Sequence, residues 1–219
     1  MQRLKTLIFD RFHILFTLFA AFGVCLILLM IRLKLSQSYF FLFLVWNIFL
    51  AALPYALTFY LSSKQRLGKY QLMAWFGLWL LFLPNAPYIV TDLIHLQHFK
   101  ASFIVLDTVL IVAYALCGLL FYFLSLRDME LLLKVHFSDK ICSFTIFLIP
   151  FLMGFGVYLG RFLRWNSWDV VQRPLILLQD MWEIVIYPME HQLAWVMTFS
   201  FGIVLILGYY GFKRIRFLN

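Results

Sequence analysis

The chain has 219 residues, of which 64% are hydrophobic, 20% aromatic and only 13% charged, with a formal net charge of +8. Soluble domains carry about 25% charged residues, so this composition excludes an ordinary water-soluble protein. The longest polar-containing connection, Arg161 to Glu190, falls short of the roughly 50 residues an independent core needs, and one membrane domain over residues 1–219 is expected. The positive charge does not point to nucleic acid: Lys and Arg lie in loops and tails beside apolar runs, where anionic lipid headgroups are the natural partners.

Six apolar stretches follow one another, each close to the ~20 helical residues that cross a hydrocarbon layer about 30 Å thick. The first is Phe12 to Ile31. Arg3, Lys5 and Arg11 precede it as in a secretion signal, but the run is too long for a signal core and Arg32-Leu33-Lys34-Leu35 offers no small-residue cleavage site, so it is expected to remain as a span. The second, Tyr39 to Leu61, is free of charge and contains Asn47 and a kinking Pro54. The third, Leu72 to Val90, holds Pro84 and Pro87 in its last third; the fourth, Ala101 to Leu126, has Asp107 near its start. The fifth is Ile141 to Gly160 and the sixth Gln192 to Phe212, followed by Lys213, Arg214 and Arg216. Cys25, Cys117 and Cys142 fall inside these stretches without metal or redox spacing and read as small packing residues.

Cytoplasmic loops are enriched in Lys and Arg. With the N-terminus inside, the inner segments hold twelve such residues (Arg3, Lys5, Arg11, Lys64, Arg66, Lys69, Arg127, Lys134, Lys140, Lys213, Arg214, Arg216) against six outside (Arg32, Lys34, Lys100, Arg161, Arg164, Arg173). Both termini are therefore expected in the cytoplasm, and two polar clusters fall on the outer side.

The first cluster ends the third span. Pro84 and Pro87 lack an amide hydrogen and disfavour helical geometry at Leu83 and Ala86, which predicts a break at Pro84-Asn85 and a helix restarting with Asn85 as its cap. Such a restart aims free amides and a partial positive charge at one point, a geometry that binds anions. At 100° per residue Tyr88, Asp92 and His95 share a face, with Thr91 and His98 beside it. Asp92 and His95 suit proton transfer. Alternatively Asp92, His95 and His98, with Asp107, Glu190 or His191, suit a divalent metal.

The second cluster follows the fifth span. Arg161 and Arg164 are three apart and are expected on one helical face, interleaved with Trp165 and Trp168. Two arginines at an outer mouth run against the charge bias and call for an acidic partner, which a guanidinium grips through two parallel bonds. Asn166 or Ser167 is expected to cap a helix beginning at Trp168, with Asp169 in its first turn; Pro174 then breaks or bends it. With acids at Asp180, Glu183 and Glu190, this helix is too short and mixed to span and is expected to lie along the outer surface. His13 and His136 read as surface groups, and His191 opens the last span.

Leu83-Pro84-Asn85-Ala86-Pro87-Tyr88-Ile89-Val90-Thr91-Asp92-Leu93-Ile94-His95-Leu96 and Tyr158-Leu159-Gly160-Arg161-Phe162-Leu163-Arg164-Trp165-Asn166-Ser167-Trp168-Asp169 resemble the two hallmark motifs of a bacterial membrane-protein family catalogued as domain of unknown function 1361. The resemblance covers the chain from about the second span to the sixth. It implies a multi-pass protein of the bacterial plasma membrane and carries no known reaction. His98 and His191 lie outside the two motifs.

The expected fold is all-α, a six-span bundle with an extracytoplasmic interfacial helix. The expected function is binding of an anionic lipid headgroup or small anionic solute in an outer polar pocket formed by Asn85, Tyr88, Asp92 and His95 together with Arg161, Arg164, Asn166 and Asp169, with Asp92 or His95 handling protons. No resident cofactor is expected. The alternatives are a metal-dependent hydrolase built on Asp92, His95 and His98, and a structural or accessory subunit whose clusters only lock helices together; no residue pattern decides whether the chain turns anything over.

Overall fold

A computed structural model describes residues 2–64, 66–98 and 103–214, with the side chains of 2–4 and 95–98 outside the description. Of the residues counted above for orientation, the side chain of Arg3 and all of Lys100 and Arg216 lie outside the described residues, as does Ala101. Every regular element among the described residues is helical, and six helical segments are long and apolar enough to cross a membrane: Phe12–Ser36, Phe40–Ser62, Lys69–Ile94, Ile104–Lys134, Asp139–Arg161 and Gln192–Arg214. The protein is an all-α, multi-pass membrane protein. Each expected span is found, longer at one or both ends in most cases because the helical ladder continues past the apolar run through charged residues such as Arg32, Arg127 and Lys134. The chain packs as two compact units, Met1–His136 and Phe137–Asn219.

The first unit contains α1 (Gln2–Asp10), α2 (Phe12–Ser36), a 3-10 turn (Phe40–Leu42), α3 (Phe43–Ser62), α4 (Lys69–Phe82), α5 (Asn85–Tyr88), a 3-10 helix (Ile89–His98) and α6 (Ile104–Lys134). The last of these is the hub: α2, α3, α4, α5 and the 3-10 helix all pack on it, and its buried face runs from Asp107 to Leu133. Large apolar side chains on the far face of α2, among them Phe16, Phe19, Ile27 and Met30, are exposed. In a soluble protein that would be a liability; in a bilayer it is the lipid-facing surface.

Two ion pairs tie α2 to α6. Arg11, immediately before α2, donates to Asp128 at 2.5 Å, and Arg32 bonds Asp107 through Nε and, at 3.1 Å, through Nη2. The two arginines are 21 residues apart, and so are the two aspartates. Twenty-one residues are within about 60° of six full turns and rise about 32 Å, so both pairs fall near one face of each helix and bracket a length equal to the hydrocarbon layer. This fixes α2 and α6 as antiparallel and sets their register. Between the ends, the α6 interfaces are mainly apolar: Trp79 Nε1 of α4 donates to Ser125 Oγ at 2.6 Å, Cys25 and Cys117 are buried free thiols, and the buried hydroxyls of Tyr114 and Tyr122 have no partner among the described residues.

The second unit contains α7 (Asp139–Arg161), α8 (Asp169–Gln172), α9 (Pro174–Ile186) and α10 (Gln192–Arg214). The backbones of α7 and α10 approach closely at Gly154, where a Cβ would lie 2.7 Å from the carbonyl oxygen of Thr198. Small residues permit such contact where lipid removes the hydrophobic drive for helix association. Ile184 brings α9 onto Tyr158 and Ala194. With 13 residues α9 is too short to span, as expected; the helical stretch is broken at Arg173-Pro174, also as expected, and Pro174 starts the second piece.

Candidate functional site

The α-helix of the third span is interrupted at Leu83-Pro84 and restarts at Asn85, close to the expected break, but the backbone does not leave helical geometry there. Helix α4 ends at Phe82, yet Leu83 (φ −59°, ψ −36°) and Pro84 (φ −61°, ψ −22°) keep helical dihedrals, and Ala86 lies within α5. Asn85 is not a cap: Pro84 holds the cap position, and Asn85 Nδ2 turns back to donate to the Phe82 carbonyl at 2.8 Å. Low water activity at this depth explains the outcome, because an extended break would leave carbonyls unsatisfied, whereas a helical turn with a side-chain donor does not.

From Ile89 the chain winds as a 3-10 helix for ten residues. Runs beyond three or four residues are uncommon, and a three-residue turn changes the register. Positions 92, 95 and 98 now align and Tyr88 moves off that line, a correction to the shared α-helical face of Tyr88, Asp92 and His95. The side chains of His95 and His98 lie outside the described residues. Gly118 of α6 admits this segment: a Cβ there would sit 3.0 Å from both the Ala86 carbonyl oxygen and Ile89 Cδ1.

Asp92 is buried and accepts a hydrogen bond from Asn47 Nδ2 of α3 at 3.0 Å. Thr91 is buried beside it and donates to the Tyr88 carbonyl at 2.6 Å. Asn47 stands in the second turn of α3, Arg32 in the last turns of α2 and Asp107 in the first turn of α6, so all four polar groups occupy the same end of the first unit, the one the charge bias assigns to the outside. Arg32 is covered by the Phe103 and Phe41 rings at 4.6 and 5.3 Å, and its Nη1 is buried with no hydrogen-bond partner among the described residues. Sequence reading placed Arg32 in a loop and missed the pair. The usable signal was the equal spacing of Arg11/Arg32 and Asp107/Asp128.

The second cluster is built differently from its expectation. Helix α7 stops at Arg161, Phe162 closes it by donating to the Tyr158 carbonyl, and Arg164 adopts a left-handed backbone at φ 60°, so Arg161 and Arg164 do not share a helical face. Neither Asn166 nor Ser167 is the cap of α8, which starts after Trp168 at Asp169. Instead Asp169 reaches back: Oδ2 accepts the Asn166 backbone N–H at 2.7 Å, and Oδ1 accepts from Arg173 Nη2 at 2.9 Å. Arg173 lies over the Trp165 ring at 5.1 Å, and Trp165 Nε1 donates to Asp180 at 2.8 Å. Asn166, Asp169, Arg173, Trp165 and Asp180 thus form one closed network inside the second unit, with Arg173 as the cation that sequence reading passed over.

These bonds, the Asn166 amide first and Arg173 second, hold the Asp169 carboxyl below its ordinary value. A depressed folded-state pKa means that Asp169 stabilises the loop in full above the usual carboxylate range and loses that effect as pH falls through the lowered value. Hydrogen-exchange protection of the Asn166 amide, corrected for intrinsic rate, is expected to be constant at neutral pH and to disappear in acid below the normal aspartate range. In Asp169→Asn it should be reduced at neutral pH as well.

Among the described residues no three His, Cys, Asp or Glu side chains converge on a metal-sized point. Asn85, Tyr88, Asp92 and His95 belong to the first unit, and Arg161, Arg164, Asn166 and Asp169 to the second.

Comparison with curated proteins and with solved structures gives no match. Residues 46–207, which include both motif segments, match the family described as "Protein of unknown function (DUF1361)", and the chain belongs to that family.

Proposed function

We propose that the chain is a plasma-membrane protein of a bacterium, with both termini in the cytoplasm, that holds an anionic group at the outer end of its first unit. The group is a lipid headgroup phosphate or a small carboxylated solute. The observation that carries this reading is Arg32: buried, bonded to Asp107 through two of its nitrogens, and with an Nη1 that has no partner among the described residues. A buried donor without an acceptor costs about 1–3 kcal/mol, and more when charged, so an acceptor arriving there recovers that cost. Ionisable groups at membrane depth are by default site candidates.

Asp92 supplies the proton chemistry. Asp92, buried at this end of the unit, is the group that exchanges a proton when the anion binds. Asn47 can bond either protonation state of Asp92, through its amide nitrogen or its amide oxygen.

The test is native mass spectrometry of protein extracted from membranes, reading retained anionic lipids and small acids over pH 5 to 8. Arg32→Lys keeps a cation for Asp107 but removes the third donor, and is expected to lower retention about tenfold, the scale of one charge-assisted hydrogen bond. Asp92→Asn is expected to retain ligand without pH dependence. Undiminished retention in Arg32→Lys, in protein shown to be folded, rejects the reading.

The metal-dependent hydrolase is favoured by one observation, the three-residue register that aligns positions 92, 95 and 98. Stoichiometric zinc in purified protein, lost in Asp92→Asn, would replace the anion reading with that one.

A further inference from the structure

Four of the described basic side chains near helix ends have acidic partners: Arg11 with Asp128, Arg32 with Asp107, Lys134 with Glu130 and Arg173 with Asp169. Lys64 and Arg66 differ. They stand in the connection between α3 and α4, at the opposite end of the first unit from Arg32, and line a cleft of about 370 Å³ with Tyr60, Leu67, Gln71 and Trp75. No acidic residue lines it, and neither cation makes an ion pair among the described residues.

Local contacts fix the residues that line the cleft. Lys64 Nζ sits over the Tyr60 ring at 4.5 Å, which orients the ammonium without neutralising it. His136 Nε2 meets the Leu67 carbonyl at 2.7 Å and pins the connection to the end of α6. Gln71 accepts the Gly68 backbone N–H at 3.4 Å, which closes the first turn of α4. The spans on either side end at Ser62 and begin at Lys69, so the cleft lies at headgroup depth, and Tyr60 and Trp75, both partly exposed, are the aromatic residues typical of that level.

We propose that this cleft binds a phosphate group, that of an anionic phospholipid in the facing leaflet: Arg66 supplies a planar pair of donors, Lys64 a point charge, and Tyr60 and Trp75 the walls against which the glycerol and upper acyl chain lie. Its volume lies at the lower end of small-molecule sites, enough for a headgroup and too small for a peptide. The site is separate from the Arg32 centre and does not depend on it.

Trp75 provides a local readout. The full chain is reconstituted in phosphatidylcholine vesicles doped with phosphatidylglycerol, with the bromine label placed on one lipid or the other, and the share of quenching due to Trp75 is taken as the difference from Trp75→Phe. Quenching by brominated phosphatidylglycerol is expected to exceed that by brominated phosphatidylcholine. In Lys64→Gln/Arg66→Gln the apparent affinity for phosphatidylglycerol should fall about tenfold or more, while the charge-matched Lys5→Gln/Lys140→Gln, which leaves the cleft intact, should not change it. A second arm titrates inorganic phosphate into protein in neutral detergent free of phospholipid. A Trp75 response there that needs Lys64 and Arg66, without selectivity between the two brominated lipids, keeps the phosphate site and assigns it a soluble ligand. No lipid selectivity and no phosphate response in folded protein, or equal loss in both double variants, overturns the proposal.

Discussion

Asp107→Asn is expected to destabilise the folded chain by about 3–5 kcal/mol, because it leaves the Arg32 guanidinium buried beneath Phe41 and Phe103 without its counter-charge. The cost comes from the stranded cation, not from the bond itself. Taking both charges away is therefore expected to be much milder: Arg32→Met/Asp107→Leu should lie within about 1–2 kcal/mol of the parent, or above it, since apolar residues of similar volume suit the surroundings. A thermodynamic cycle over the two single variants and the double, measured by reversible unfolding in mixed micelles, should give a coupling of several kcal/mol. The corresponding change at the other end, Asp128→Asn, should cost less. Arg11 keeps 19% of its side-chain surface exposed, against 7% for Arg32, and water can compensate part of the loss. Equal effects at the two ends, or an Asp107→Asn cost below about 1 kcal/mol, would mean that the register of α2 on α6 is set by packing alone.

Gly154→Val is expected to be the most damaging apolar substitution in the second unit. Its Cβ would meet the Thr198 and Met197 carbonyl oxygens at 2.7 and 2.8 Å, and these are backbone atoms that cannot rotate away. Helices α7 and α10 must then separate, at a cost of about 1–3 kcal/mol or more for overpacking, plus the dispersion energy forfeited along the seam. The atoms nearest a Cβ at Gly202 are all of the Phe151 ring, a side chain and not backbone, so Gly202→Ala should cost less. Gly23→Ala has open space around its Cβ and should be neutral or stabilising by up to about 1 kcal/mol through helix propensity. Thermal unfolding of the three variants in one detergent tests the order Gly154, Gly202, Gly23; a Gly154→Val protein as stable as Gly23→Ala would show that the close approach of α7 and α10 is not a feature of the fold in solution.

The two motif segments show where local reasoning holds and where it fails. Asp92 was legible as a costly acid that needs a partner, but Asn47, which provides one bond, is 45 residues away and was noted only as a polar residue in a charge-free span. α-Helical spacing carried across Pro87 misaligns Asp92, because packing of Ala86 and Ile89 against Gly118 accommodates a 3-10 helix instead. Arg161 and Arg164 were paired by the same assumption. Nothing local to Arg164 announces a left-handed backbone, which glycine and asparagine favour and arginine does not. The resulting turn brings Asp169 to Asn166 and Arg173, and the cluster becomes a closed loop network.

Composition and hydropathy by themselves determined that this is a multi-pass helical membrane protein, where its six spans run to within a few residues, and that a helical stretch too short to span separates the last two. They suffice because burying unpaired backbone in lipid is prohibitive, so an apolar run of that length has one available conformation. Only the tertiary structure decided which charges pair. Arg32 with Asp107 and Arg11 with Asp128 join residues 75 and 117 positions apart, and such choices depend on the register of two packed helices, which the matched 21-residue spacing hints at but only their packing sets.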